Sequence, residues 1–455
     1  MEANGGVGRA VNVSARLRSS MLSLAFSTAA ISARRRFHEL RRRLTGGRHV
    51  VSAFVELDDP YSYLLCSYLR EIREHYAIDL RLYLTEAIKD GYRPAPQQYS
   101  EYAFEDSRRL ARELGIAFLD RGDAPPVEHR RALLDALLSG DSDTSDVDDV
   151  IDAVTAYWRG DSEAVARRAD DAGEAGKADR VLQSNQQLLA SLGHYNTAML
   201  HYGGEWYWGV DRLHYLTDRL DALGVACEPG LAPRVASIRQ VMQVNLPVKP
   251  PSAASKLPPL ELFVSFRSPY SYLGLERIYA IVDAFGVTLK IRPVMPMVMR
   301  GMPLPRSKLL YIFADAGREA RRLGIPFGKV VDPLGVGTER CMAAFQFAHS
   351  EHRERDFLLH AGRATWARGI DLASDEGLRK VTAKAGLFWP GVVAALADNE
   401  WRADAEQNRA AMMASGSWGV PTVRIGNWVC WGQDRDWLIA RQLEELCDSG
   451  EGILI

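Results

Sequence analysis

At 455 residues the chain is long enough for two or three domains, each with its own core. An apolar fraction of 47%, a charged fraction of 25% and a formal net charge of -2 are ordinary for a globular protein and give no global reason to expect nucleic acid or an acidic surface as partner. No uninterrupted apolar run reaches the length of a membrane span, and Cys66, Cys227, Cys341, Cys430 and Cys447 stand far apart with no Cys-x-x-Cys, which argues against a disulfide framework, a zinc knuckle or a dithiol redox site and makes a reducing, cytoplasmic setting the default.

Residues 1–47 form a basic leader segment. Arginine is dense (Arg9, Arg16, Arg18, Arg34, Arg35, Arg36, Arg41, Arg42, Arg43), lysine is absent, and the only acids are Glu2 and Glu39. Three readings compete: a targeting peptide, a basic amphipathic helix on a membrane or partner, and a solvated leader helix, the last preferred. From Val50 the chain turns globular, with a strand over Ser52–Leu57, a break at Asp58-Asp59-Pro60 and a helix over Tyr61–His75. Helices are expected over Tyr99–Leu114 and Glu128–Leu138, and the acidic Ser139–Asp149 stretch as an exposed loop. A strand pair, Thr197–Tyr202 and Glu205–Tyr207, turns at Gly203-Gly204 and leads to a helix over Asp211–Leu223. This first domain spans residues 48–228, and the proline-rich 229–259 stretch reads as a semi-rigid linker.

Beyond the linker the pattern recurs, in a domain over residues 260–447. AFVELDDPYSYL at Ala53–Leu64 matches LFVSFRSPYSYL at Leu262–Leu273, and YAFEDSRRLARELGI at Tyr102–Ile116 matches YIFADAGREARRLGI at Tyr311–Ile325 in the same register. Trp158-Arg159-Gly160 answers Trp366–Gly369, and Trp208–Arg212 answers Trp431–Arg435. Several blocks in one order indicate an internal duplication, so both copies should share one fold.

In the second copy the strand Leu262–Phe266 alternates apolar and small polar residues and breaks at Arg267-Ser268-Pro269. Ser268 stands where an N-cap belongs, with Pro269 at the first helical position, where its missing N–H costs nothing. A capping serine is common. Here it lies at the positive end of a helix and the carboxyl end of a strand, where ligands of open α/β sheets bind.

This copy resembles the DsbA-like thioredoxin family, and more narrowly the 2-hydroxychromene-2-carboxylate isomerase and kappa-class glutathione transferase branch. The motifs are S-P-Y-S-Y-L at Ser268–Leu273, K-x-x-Y-x-x-x-D at Lys308–Asp315, L-G-I-P at Leu323–Pro326, G-V-P-T at Gly419–Thr422 and W-G-Q-D-R at Trp431–Arg435. The resemblance implies an α/β fold of two tandem thioredoxin-like domains, each with an inserted helical subdomain. It implies glutathione as cofactor, because Ser268 and Ser271 stand where a redox site needs cysteines. The reaction implied is isomerisation by reversible thiolate addition to a conjugated acid, with kappa-type transfer as the alternative.

Ser268 is then the catalytic residue, stabilising a thiolate together with the helix N-terminus. The resemblance implies a cis Pro421, a strand-like pairing of Val420 with the tripeptide backbone, and a binding segment of Trp431, Gly432, Gln433 and Asp434. Asp434 is expected to cap the last helix and to suit an ammonium group. Arg300 and Lys308 are candidates for a carboxylate, and Asp332 departs from the family's usual asparagine. Met295–Pro305, rich in methionine and proline, suits a pocket wall, a core or a hinge. Copy one has Asp59 for Ser268 and Ala198 for Pro421, so its fold should survive while its chemistry does not. Family enzymes are homodimers, which suggests that copy one supplies a partner surface as an intramolecular pseudo-dimer. A non-catalytic scaffold is the rival reading, and a disulfide oxidoreductase is disfavoured.

Overall fold

The computed structural model of the protein describes residues 24, 27–119, 128–139, 146–169, 176–228, 230 and 233–449. Among the described residues two compact units emerge: 32–243 with 305–311, and 244–304 with 312–449 and the described residues up to 31.

Helix α1 (Thr28–Leu44), in the first unit from Ser32 on, precedes strand β1 (His49–Val55). Asp59 then caps α2 (Pro60–His75), accepting the Tyr61 and Ser62 amides at 3.3 and 3.1 Å, with Pro60 at the first helical position. Strand β2 (Ile78–Leu84) returns parallel to β1. The inserted helices are α3 (Pro96–Leu114), α4 (Glu128–Leu137), α5 (Val147–Arg159), α6 (Ser162–Ala169) and α7 (Lys177–Ser191). The loop expected over Ser139–Asp149 is corrected at its end: Asp146 caps α5, and Asp148 and Asp149 lie in its first turn, where carboxylates meet the positive end of the helix dipole. Residues 140–145 of that stretch lie outside the described residues.

Strands β3 (Met199–Tyr202) and β4 (Glu205–Trp208) complete a sheet of order β2-β1-β3-β4, antiparallel on that side, and α8 (Leu213–Ala222) follows. Within the proline-rich stretch the chain forms α9 (Val235–Val241) and a short 3-10 turn, Ser252–Lys256.

The second unit repeats this order. Strand β5 (Leu260–Val264) leads to α10 (Pro269–Phe285) and the parallel β6 (Leu289–Pro293). Helices α11 (Arg306–Leu323), α12 (Val336–Ser350), α13 (Glu354–Arg363), α14 (Asp375–Lys384), α15 (Trp389–Leu396) and α16 (Trp401–Ala414) intervene. Strands β7 (Thr422–Ile425) and β8 (Trp428–Trp431) close a sheet of order β6-β5-β7-β8, and α17 (Asp436–Asp448) ends the unit.

The strand expected over Leu262–Phe266 falls two residues earlier, at Leu260–Val264, and is buried on both faces. Leu260, Leu262 and Val264 join the core of Ile281, Phe285 and Ile439, while Phe263 packs on the other face with Val294 and Met412. Truncating Phe263 to Ala would cost about 3–5 kcal/mol. Met295, in the methionine-rich stretch, packs against the larger core.

The repeated sequence blocks correspond to repeated contacts. Tyr61 donates its hydroxyl to Asp106, and Tyr270 donates to Asp315, each at 2.9 Å. The Glu56 amide donates to the Ser62 hydroxyl as the Ser265 amide does to Ser271. Trp158 stacks on Phe118, and Trp366 on Phe327. Each unit therefore has a thioredoxin-like sheet with helices inserted between β2 and β3, or β6 and β7. No helix among the described residues is long and apolar enough to cross a membrane.

Candidate functional site

Between β5 and α10 the chain turns at Arg267-Ser268-Pro269. Ser268, at φ -86 and ψ 117, caps the 17-residue helix. Its Oγ accepts the Ser271 amide at 3.0 Å and donates to the Val420 carbonyl at 3.4 Å. At 3.4 Å the second contact is longer than an ordinary O–H···O bond, so the proton is only weakly held there. Ser268 is half-buried, and the positive end of α10 sits beneath it.

The sheet brings the next residues to the same place. β7 pairs antiparallel with β5, Phe263 opposite Thr422, which sets Val420 and Pro421 beside Ser268. The Val420–Pro421 peptide bond is cis. Thr422 pairs in turn with Trp431 on β8, and the Gly432 amide donates to the Pro421 carbonyl at 3.0 Å. Trp431 packs on Trp418 with ring centroids 5.1 Å apart, and a Cβ on Gly419 would lie 2.6 Å from the Trp431 Nε1. Gly432 sits at φ +114, a region L side chains rarely adopt, and a Cβ there would meet Asp434 Oδ1 at 2.8 Å.

The roles expected of the next two residues change. Asp434 does not cap the last helix: the cap position falls on Arg435, and the Asp434 carboxylate lies 3.7 Å from the Arg435 guanidinium. The turn at Gly432 delays the helix start to Asp436, which sequence spacing alone did not show. Gln433 is buried, its Nε2 donating to Glu319 at 3.0 Å and its two oxygens accepting from Arg277. Arg277 also pairs with Asp436 at 2.9 Å. The Gln433 side chain is thus taken up in fixing the turn.

Arg300 ends a 3-10 turn, Met297–Arg300, and its Nη2 donates to the Trp418 carbonyl at 3.4 Å. Its Nε is buried without a hydrogen-bond partner. Burial, and then the nearby Arg409, push its pKa down to about 10, which leaves it cationic at neutral pH. Lys308 groups with the other unit, where its ammonium donates to the Tyr92 carbonyl at 2.7 Å and burial pushes its pKa down to about 8. Asp332 is exposed and holds Arg267 by two 2.8 Å bonds, so its carboxylate is neutralised rather than aimed at a ligand.

Sequence reasoning missed Arg267, Arg277 and Trp418. Arg267 had a signal, since it directly precedes the capping serine. The other two act through partners far away in sequence.

In the first unit Asp59 takes the place of Ser268. Its carboxylate accepts the hydroxyls of Ser62 at 2.7 Å and Thr197 at 3.0 Å, besides the capped amides. Burial raises its pKa, the hydrogen bonds opposing, and burial pushes the neighbouring Glu56 up to about 8, helped by Asp59. Ala198, in the register of Pro421, is buried at φ 54. Among the described residues no cluster of three or more His, Cys, Asp or Glu side chains is arranged to hold a metal.

Residues 259–444 match the family described as the DSBA-like thioredoxin domain. The chain is 25% identical over 198 residues to a 2-hydroxychromene-2-carboxylate isomerase of Pseudomonas putida, covering 41% of this chain and 95% of that protein. It is 26% identical over 206 residues to the human glutathione S-transferase kappa 1, covering 41% of this chain and 91% of that protein. A solved 2-hydroxychromene-2-carboxylate isomerase aligns with a TM-score of 0.36 at 24% identity, over 42% of this chain and 96% of its own. Residues 259–444 are a DsbA-like thioredoxin domain.

Proposed function

We propose that the second unit binds glutathione at Ser268 and serves as a glutathione-dependent isomerase of the 2-hydroxychromene-2-carboxylate isomerase type. The observation that carries this is the Ser268 hydroxyl at the positive end of α10, 3.4 Å from the Val420 carbonyl, with a second serine, not a cysteine, at Ser271. Such a site favours a sulfur anion but has no sulfur of its own. The relatives named as isomerase and glutathione transferase support the reading at family level.

The residues present fit the tripeptide. Val420 offers backbone for a strand-like pairing, and Asp434, beside the Gly432 turn, suits the ammonium group. Trp431 walls the site, and Arg300 suits a carboxylate through its unpartnered Nε. Gln433 contributes its backbone, because its side chain is committed to Glu319 and Arg277. When bound, glutathione supplies the thiolate that adds reversibly to a conjugated carbon, so that the former double bond rotates before elimination. Ser268 does not attack. Its hydroxyl proton turns from the Val420 carbonyl to the sulfur, and the α10 dipole favours the charged form. Arg300 places positive charge where an aromatic or conjugated acid would lie.

The same groups serve a kappa-type transferase, with a thioether as product instead of an isomer. Calorimetric titration with glutathione tests the reading: micromolar to millimolar binding that Asp434→Ala abolishes is expected. Absence of heat at millimolar glutathione contradicts it and leaves a non-catalytic scaffold.

A further inference from the structure

Helix α1 is mounted with its polarity reversed. An amphipathic helix normally turns its apolar stripe to the core. Here the inward face is polar beyond Ile31: Arg35 grips Glu205 of β4 through two bonds of 2.6 and 2.8 Å, and His38 abuts the Gly204 turn. The outward face carries Phe37, Leu40 and Leu44, at the i, i+3, i+7 spacing of one stripe, exposed by 63%, 56% and 78%. Arg34 and Arg41 border the stripe on one side, Arg36 and Arg43 on the other, all exposed, with Arg43 also paired to Glu39 at 2.6 Å. Between residues 32 and 48 stand seven arginines and one acid, Glu39. A groove of about 890 Å³ runs along the helix, with Arg36, Arg43, Arg48 and Arg219 in its lining and Glu39 and Asp218 as its acids.

We infer that this face docks on an anionic phospholipid surface. Three large apolar side chains offer far less than the roughly 800 Å² per partner that a stable protein interface needs. They suffice for shallow insertion below the headgroups, where flanking cations add binding strength for each phosphate met. Symmetric arginine borders suit a surface of uniform negative charge better than a partner with patterned charge. The groove gives lipid phosphates a place between guanidinium groups. The ion pair between Arg35 and Glu205 holds the helix so that the stripe stays outward.

The test is co-sedimentation of the full chain with vesicles of phosphatidylcholine alone or with about a third phosphatidylserine. Binding to the anionic vesicles is expected, at least about tenfold above the neutral ones and falling steeply with salt. Two variants probe the two parts of the surface: Phe37→Ser/Leu40→Ser/Leu44→Ser, and Arg36→Glu/Arg41→Glu. All five residues are exposed, so both should unfold at the wild-type temperature and both should lose vesicle binding. The inference is overturned if anionic vesicles are not bound, or if both variants bind as well as the wild type. It is also overturned if the wild type self-associates without binding vesicles and the triple-serine variant is monomeric, which would make the stripe an interface between copies.

Discussion

The Thr197 hydroxyl donates a 3.0 Å hydrogen bond to the Asp59 carboxylate. In the second unit the register puts Ser268 and Val420 in these positions, joined instead by a 3.4 Å bond from hydroxyl to carbonyl. One arrangement encloses a carboxyl group whose acceptor sites are already occupied. The other holds a hydroxyl whose proton is loosely engaged. The same helix cap thus carries a fully engaged carboxyl group in one half and a weakly engaged hydroxyl in the other.

Stability of the first unit should depend on pH through Glu56. Its folded pKa, raised by burial and then by Asp59, lies at about 8 against an ordinary 4.5. Between these values the folded chain holds a proton that the unfolded chain has lost, so stability must fall as pH rises. Asp59, raised in the same direction by burial, adds to the effect from lower pH. Denaturant titrations from mildly acidic to mildly basic pH should show a decline of at most about 1.4 kcal/mol per pH unit for one such group. Glu56→Gln should flatten it. A stability that rises over that window would contradict this.

Gly419→Ala should disturb the second site without unfolding the unit. The added Cβ meets the Trp431 indole nitrogen at 2.6 Å, so the ring must move. A loss of about 1–3 kcal/mol in stability is expected, together with a changed tryptophan emission and weaker glutathione binding. Unchanged emission and affinity would mean that Trp431 is not placed as described.

Asp332→Asn should release Arg267 next to Ser268. Asp332 is about half exposed, so the pair contributes only about 0.2–1 kcal/mol and stability should barely change. An acidic substrate should then show a lower KM with kcat nearly unaltered, because positive charge near the site acts mainly on capture. A raised KM would show that the ion pair positions the loop.

The fold was legible where local chemistry repeats. Two copies of a P-Y-S-Y-L helix start, each behind a residue able to cap, fixed both strand-to-helix turns before any tertiary contact was known. The helix start at Pro269 agrees with that reading, and the first copy's helix starts at Pro60, one residue ahead of the expected Tyr61. What failed depends on distant partners. Asp434 looked like a cap because it stands shortly before a helix, yet the left-handed turn at Gly432 and the Arg277 contacts to Gln433 and Asp436 set the start later. Lys308 sits in a matching motif, but it groups with the first unit, where the Tyr92 carbonyl holds its ammonium. The outward stripe of α1 was invisible for the same reason, since a sequence period shows an apolar face without showing which way it points.

Removing the Ser268 hydroxyl should cost the helix about 1 kcal/mol as a lost cap and leave much of the glutathione affinity. The decisive quantity is the ionisation of the bound thiol, followed by its ultraviolet thiolate absorbance against pH in the wild type and in Ser268→Ala. The wild type should ionise glutathione at a clearly lower pH than free solution does, and the variant should return the transition toward the free value. A bound thiol that titrates identically in both proteins would contradict the claim that this serine stabilises a borrowed sulfur anion.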